Sequence, residues 1–375
     1  MTDTVLALNP GSSSLKVAVR RRELELTIEI ERLGDPGGSL RIGPDGAKRS
    51  FTGDLGAAIE EIKAELQRRD LAPDAVAHRV VHGGPHHYRP TRIDDDLLAD
   101  LRAAIPLAPL HLPGVLDVIE HARRAWPNVV QVACFDTGFH HDLPESSIRL
   151  PVPAELVEAG VRRYGFHGLS IQSVLHARPE LDQVVIAHLG SGCSVTAVAG
   201  GRPRHTTMSL TPTGGMVSAT RTGDLDPEIV LYLIERHGYR VDQLRTLLDH
   251  GSGLAGIADG RHDVRDLLAA PDPDAGLAIE IFARSAAMAI AACATTLDAW
   301  SNLVFTGGVG EHSAPLREAI CARLLALRGA APAEGTNGSE DALRRAGVDT
   351  GIVAADEEGV LDRLTRALLA GTDHS

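Results

Sequence analysis

The chain has 375 residues, enough for roughly two or three domains that each bury a core. Hydrophobic residues at 43% and charged residues at 23% give the balance of a soluble globular protein. The formal net charge of −13, with no basic tail, argues against a general nucleic-acid binder, because such binding needs clustered positive charge.

Short apolar runs alternate with helical periodicity, which predicts an α/β protein. In chain order, residues 5–8 and 15–20 read as strands around the turn N-P-G-S-S-S-L-K, Asn9 to Lys16. A third strand is expected over 24–30, then a helix over 55–68 with Leu55, Ile59, Ile62 and Leu66 on one face. Strands over 76–81 and 129–135 enclose a helix over 95–105. Strands over 184–189 and 193–198 flank the turn H-L-G-S-G, His188 to Gly192. Helices are expected over 227–236, 241–248, 278–300, 315–327 and 360–369, with one more strand over 303–306. Asp226-Pro227-Glu228 is a helix start, with Asp as N-cap and Pro in the first helical position. The stretch 329–338, rich in proline and glycine, is expected as an exposed loop.

The two strand–turn–strand segments echo one another, and both turns are too short for a crossover helix, so each predicts an antiparallel hairpin. Glycine admits close backbone approach, and successive N–H groups with serine hydroxyls can form an anion-binding nest. Two such hairpins in two halves of a chain suggest a grip on a polyphosphate. Only three lysines occur, and Lys16 lies beside the first of these turns.

Other patterns carry less. The four cysteines, Cys134, Cys193, Cys293 and Cys321, form no C-x-x-C pair and fit buried free thiols in a reducing compartment. The chain opens with no basic n-region or apolar h-region, and the apolar stretch 285–297 is short and alanine-rich. A buried helix, no membrane span and a cytoplasmic location are expected. Gly251 to Gly256 spells G-x-G-x-x-G but follows a helical pattern, which fails the dinucleotide context. His82, His86 and His87 straddle Gly83-Gly84-Pro85, which forbids a metal-aligning helix, so surface imidazoles are expected there and at His140 and His141.

Six segments are harder to explain as packing. They are the Asn9–Lys16 hairpin turn, H-R-V-V-H-G-G from His78 to Gly84, F-D-T-G-F-H from Phe135 to His140, the pair R-R-Y-G-F-H-G and T-R-T-G-D-L-D-P, and F-T-G-G-V-G-E from Phe305 to Glu311. Asp136 falls just past the end of an apolar strand, where α/β ligand sites lie.

These motifs, with L-A-P-L-H, H-L-G-x-G and the C-terminal Asp356-Glu-Glu358, resemble the acetate kinase family of the actin-like ATPase superfamily. The resemblance implies an α/β fold of two actin-like (ribonuclease H-like) domains flanking an active-site cleft, whose closure excludes water. The expected first domain is 1–150 plus the C-terminal helix 357–375, and the second is 151–356. It implies transfer of the terminal phosphoryl group of ATP to acetate, with Mg²⁺ (or Mn²⁺) held by Asn9 and Glu357 and a homodimeric enzyme. Catalytic roles fall on Asp136, Arg79, His167 and Arg221. Arg79, Val81, Leu110, Phe166 and Pro212 map onto the acid pocket. Lys16 joins the phosphate side. His188, Leu189, Gly190, Ser191 and Gly192, with Asp263, Val264 and Arg265, and Gly308, Val309, Gly310, Glu311 and His312, map onto the nucleotide site. The family assigns Asp136 as acid/base. The short acid that the resemblance implies, with a pKa of about 4, is already ionised at neutral pH and needs no general base. Repulsion between its carboxylate and a polyphosphate is then the difficulty, which two arginines and a metal ion would relieve, so Asp136 reads as an organiser of the metal, its waters or an arginine.

The chain departs from the family pattern at Pro85, Leu112 and Ile171, and around the donor at Ser191, His205, Ser209 and His312. Rival readings are a propionate, butyrate or pyrophosphate-dependent kinase, and a non-catalytic nucleotide sensor on the same fold. Retention of both arginines argues against the sensor, because nucleotide binding alone needs no carboxylate clamp.

Overall fold

The computed structural model describes residues 3–11, 13–330 and 338–371. Ser12 in the first hairpin turn, most of the expected loop at 329–338, and residues 372–375 of the expected last helix lie outside the described residues. Contacts divide the chain into two compact units, Met1–Gly138 with Asp356–Ser375, and Phe139–Ala355. The break follows Gly138 rather than Leu150 because the intervening segment is tied to the second sheet. The Ser147 hydroxyl donates to Arg204 O over 2.7 Å, and His140 Nε2 lies 3.2 Å from Thr196 Oγ1.

The first unit is built on an eight-stranded sheet. Its strands are β1 (Val5–Pro10), β2 (Ser14–Arg20), β3 (Leu24–Glu31), β4 (Ser39–Ile42), β5 (Arg49–Ser50), β6 (Ala75–Val80), β7 (Thr91–Arg92) and β8 (Val130–Phe135), in the order β5-β4-β3-β2-β1-β6-β8-β7. β1 and β2 form the expected antiparallel hairpin, with Asn9 opposite Lys16, while β1, β6 and β8 run parallel. Strand alternation sorts their side chains. Leu6, Leu8 and Val76 share a core with Val118 and Ala122 of the helix Leu112–Ala125, with Trp126 that follows it, and with Ile59 and Ile62 of the helix Leu55–Arg68. Asn9 and Arg79 point to the other face, where the helix Glu357–Ala370 packs on β1, β2, β6 and β8.

The second unit holds a five-stranded sheet of β9 (Gln183–Leu189), β10 (Cys193–Ala199), β11 (Arg202–Thr206), β12 (Asn302–Thr306) and β13 (Asp349–Ile352), in the order β11-β10-β9-β12-β13. β9 and β10 form the second expected hairpin, and β12 pairs in parallel with β9. The helix Pro273–Ala294 lies on this sheet, through Ala278, Phe282, Ala286 and Ile290 packed with Leu303 and Phe305. It is long and apolar enough to cross a membrane by length and composition, but those residues are core. The helix starts and stops earlier than the expected 278–300. Asp272 caps its first turn and Pro273 takes the position where a missing N–H costs nothing. All four cysteines are buried free thiols.

Candidate active site

In the first unit the C-terminal ends of β1 and β6 converge with the residue after β8 and the start of the last helix. Arg79 Nη2 donates to Asp136 Oδ2 over 2.8 Å, and Nη1 reaches Asn9 Oδ1 and Pro10 O, each at 3.3 Å. Glu357 Oε2 is 3.8 Å from Arg79 Nε. The Asn9 amide donates to Glu357 Oε2 over 2.9 Å and to Glu358 Oε1 over 2.7 Å. Asp136 is 1% exposed, so this is an ion pair taken largely out of water. Burial opposes the Arg79 charge, but the charges of Asp136 and Glu357 outweigh it and hold the guanidinium above the ordinary arginine value. Burial, and then the adjacent Glu357 charge, raise Glu358 above the usual carboxylate range, against the hydrogen bond from Asn9.

The last helix brings Glu357 and Glu358 here because Asp356 caps it, accepting from Gly359 N over 2.9 Å. Acidic residues in a first helical turn also complement the helix dipole. Hard divalent cations take oxygen ligands, and Mg²⁺ commonly uses one or two carboxylates and fills its shell with water and phosphate. Asn9 Oδ1 and Glu357 supply oxygens of that kind. Among the described residues no group of three or more His, Cys, Asp or Glu is placed to hold a metal ion.

In the second unit a histidine pair lies beside the β9–β10 turn. His167 has the left-handed backbone conformation, φ 59°, at the start of the helix Gly168–Ala177. Such a φ is uncommon for a residue with a side chain and turns up at functional sites. Its ring stacks on His188, centroids 4.2 Å apart and planes at 19°. Each Nδ1 meets a serine, His167 with Ser194 at 2.9 Å and His188 with Ser170 at 2.8 Å. A Cβ on Gly192 would stand 2.9 Å from Arg221 Nη1 and 3.5 Å from His167 Nε2, so Gly192 is where the arginine and the histidine meet the turn. Arg221 Nη1 also donates to Pro212 O over 3.2 Å, and Ala219 N to Ser191 O over 3.2 Å, joining the T-R-T-G loop to the hairpin.

The remaining expected residues scatter more widely. Val81 is buried and Leu110 exposed in the first unit, while Phe166 and Pro212 are buried in the second. Lys16 is exposed on β2. Leu189 and Gly192 are buried, Gly190 half-buried and Ser191 exposed. Asp263 caps the helix Val264–Ala269 and pairs with its neighbour Arg265; that hydrogen bond holds its carboxyl down to about 2. Val264 belongs to the core. Gly308 to His312 lie on a short helix, Gly307–His312, that opens directly from β12. Glu311 turns inward, accepting from Gly307 N at 2.9 Å and Ala355 N at 3.1 Å. His205 sits on β11 opposite Ala197, its Nδ1 3.3 Å from Ser147 Oγ, not at the Ser191 turn.

Two histidines differ from expectation. His82 and His140 are fully buried, not surface imidazoles. Gly84 N donates to His82 Nδ1 over 2.8 Å, and Gly165, at φ 73°, brings its backbone against the His140 ring. Gly84, read as a breaker, and Gly165, distant from His140 in sequence, let the chain close over the two rings. Ser170, Ser194 and Glu358 as partners of site residues were not anticipated from sequence. Glu358 stood beside Glu357, whereas no spacing in the sequence marks Ser194 and Ser170 as partners of His167 and His188.

A model of the Acetokinase family matches residues 4–356. An acetate kinase of Rhodopseudomonas palustris (strain TIE-1) is 38% identical over 344 residues, 86% of each chain. The crystal structure of a propionate kinase from Francisella tularensis superposes with a TM-score of 0.87 at 32% identity, covering 97% of this chain and 99% of that one. Porphyromonas gingivalis acetate kinase superposes with a TM-score of 0.81 at 29% identity, covering 98% and 100%.

Proposed function

The chain belongs to the acetokinase family and has its actin-like α/β fold, and on that premise we propose that it transfers the terminal phosphoryl group of ATP to acetate. The observation that carries the reading is Arg79, a guanidinium 15% exposed and oriented by Asp136, Asn9 and Glu357. An acetate oxygen attacks the γ-phosphorus, the bond from phosphorus to the β–γ bridging oxygen breaks, and acetyl phosphate and ADP result. No proton need leave the acid, because it reacts as its carboxylate.

Arg79 neutralises and orients the carboxylate, and the 2.8 Å ion pair supports Asp136 as the group that positions it rather than as a base. Arg221 and His167 meet the phosphoryl group, stabilising its charge in flight. Asn9 and Glu357 would hold Mg²⁺ (or Mn²⁺), which supplies charge neutralisation for the polyphosphate when bound. The β9–β10 turn, the Asp263–Arg265 segment and the Gly308–His312 segment take the nucleotide. Val81 and Leu110 in the first unit, and Phe166 and Pro212 in the second, are the residues proposed to meet the acid. Propionate is the second reading, favoured by the likeness to the Francisella protein. A cytoplasmic homodimer completes the proposal.

Purified protein with Mg²⁺, ATP and each short acid, trapped with hydroxylamine, should give acetohydroxamate. Absence of any hydroxamate with ATP or with pyrophosphate overturns the enzyme reading. A higher kcat/KM for propionate selects the second.

A further inference from the structure

The segment Gly251-Ser-Gly-Leu-Ala-Gly256 has no part in the phosphoryl-transfer reading, and it follows a helix, not the strand that a dinucleotide loop needs. In the second unit it joins the helix Val241–His250 to the short helix Gly253–Ile257. Its backbone runs against the loop that carries Arg221. Ser252 N donates to Thr220 O over 3.1 Å, and Leu254 N to Ser218 O and Ala255 N to Ala219 O, each over 3.0 Å. Just before the segment, Leu248 O accepts from Thr222 N over 3.3 Å, and Asp249 O accepts from the Thr220 hydroxyl over 2.7 Å. Arg221 stands among these anchors, its own carbonyl accepting from Ser218 N over 3.2 Å.

Gly253 lies where the two backbones touch. Its φ of 61° is in the left-handed region, and a Cβ there would stand 2.3 Å from Ser218 O, 2.8 Å from Arg221 O and 2.9 Å from Arg221 N. Those are backbone atoms, which cannot swing aside as the tip of a side chain can. A side chain at 253 must therefore push the Arg221 backbone away. Gly251 differs, because a Cβ there would meet its nearest neighbour, Leu247, at 3.4 Å, an ordinary contact.

We propose that Gly253 is a positioning residue for phosphoryl transfer: by letting the two backbones close, it sets where the Arg221 guanidinium stands at the β9–β10 turn. This rests on the reading of Arg221 as a group that meets the phosphoryl group. A shift of about 1 Å in a group that acts in the transition state can cost on the order of 10²-fold in rate.

The test is hydroxamate formation from acetate and ATP. Gly253→Ala should lose about tenfold or more in kcat and keep the ATP KM within about twofold. Gly251→Ala, in the same segment, should change neither. In an Arg221→Ala background the added Gly253→Ala should cost no further kcat, because the group it positions has gone. Thr220→Val serves if Gly253→Ala does not fold. It keeps the side chain's shape but removes the bond to Asp249 O, and should lower kcat about three- to tenfold, with Thr220→Ser restoring the rate. An active wild type whose kcat ignores Gly253→Ala, or Thr220→Val in its place, overturns the proposal and leaves the enzyme reading standing. A full further loss in the Arg221→Ala background, or an equal loss in Gly251→Ala, also overturns it. A wild type that forms no hydroxamate removes the enzyme reading and this proposal together.

Discussion

At Arg79 structure and chemistry pull on one side chain. Arg79→Ala leaves Asp136 buried without its cation, a loss of about 3–5 kcal/mol for a buried pair. The same change should cut kcat by ~10³ or more, the range for transition-state arginines. Arg79→Lys separates the two effects. It restores a positive charge, and with it most of the stability, but lacks the planar fork that aligns a carboxylate. Urea unfolding should place the lysine variant near wild type while hydroxamate formation stays low; a lysine variant with near-normal kcat would make Arg79 a structural ion pair. Ser194 offers a smaller test. Its hydroxyl fixes the His167 ring, so Ser194→Ala should lower kcat about three- to tenfold, the worth of one hydrogen bond. The acetate KM should stay unchanged, and Ser194→Thr, which keeps the hydroxyl, should restore the rate. A matching rise in KM with kcat intact would deny His167 its part in the transition state.

Within elements, the β9–β10 turn depends on a missing side chain. Gly192 has no left-handed φ, so alanine there strains no backbone. Its Cβ would instead press on Arg221 Nη1, the mobile end of a flexible side chain. Gly192→Ala should therefore keep its unfolding midpoint yet lose at least about tenfold in kcat as Arg221 is displaced; an unchanged kcat would move Arg221 out of the machinery. Strand β6 predicts a pH effect. Burial holds the His78 imidazole down to about 4, against the hydrogen bond with Gln131 that raises it, while in the unfolded chain it titrates near 6.5. The unfolded chain therefore takes up this proton first. Stability is unaffected above about pH 7 and falls as pH drops from 6.5 towards 4, by up to about 1.4 kcal/mol per pH unit. His78→Gln should flatten urea-unfolding midpoints across that window. An identical slope in the variant would assign the loss elsewhere.

The same elements show what was legible beforehand. Alternation and flanking turns located β1, β2, β9 and β10 and their antiparallel pairing, and the 3.6-residue period located Leu55–Arg68 to the residue. The helix Leu112–Ala125 escaped because Leu112-Pro-Gly114 looks like a breaker, although proline in a first turn is a helix opener. The two-residue edge strands β5 and β7 carry too few residues for any period. Of the site, Arg79, Asp136, Asn9 and Glu357 were named from motifs and come together within one unit. The serine partners of His167 and His188 were not, because a hydroxyl's partner depends on how a turn orients it.

For the whole molecule, the helix Pro227–His237 stands apart. Locally it is well specified: Asp226 accepts from Glu228 N, Pro227 opens the first turn, and Gly238 at φ 66° closes the last. A surface helix normally buries one apolar stripe. Here no residue is buried, and Ile229, Leu231, Tyr232 and Ile234 are 40%, 48%, 55% and 40% exposed. Val241, at the start of the next helix, is 69% exposed. Apolar residues exposed around much of a helix in this way are surface that a protein interface would cover, and a two-fold axis would let one helix cover its own copy. Burying the remaining half of four such side chains gives on the order of 1 kcal/mol each, doubled by symmetry. About 8 kcal/mol corresponds to a micromolar dimer before association costs, so flanking residues such as Val241 must add to it. Light scattering at tens of micromolar should therefore give a dimer mass. Leu231→Glu with Tyr232→Glu, at two side chains already about half exposed in the monomer, should give a folded monomer with an unchanged circular dichroism spectrum. A wild type that scatters as a monomer, or a double variant that stays dimeric, would detach this helix from assembly.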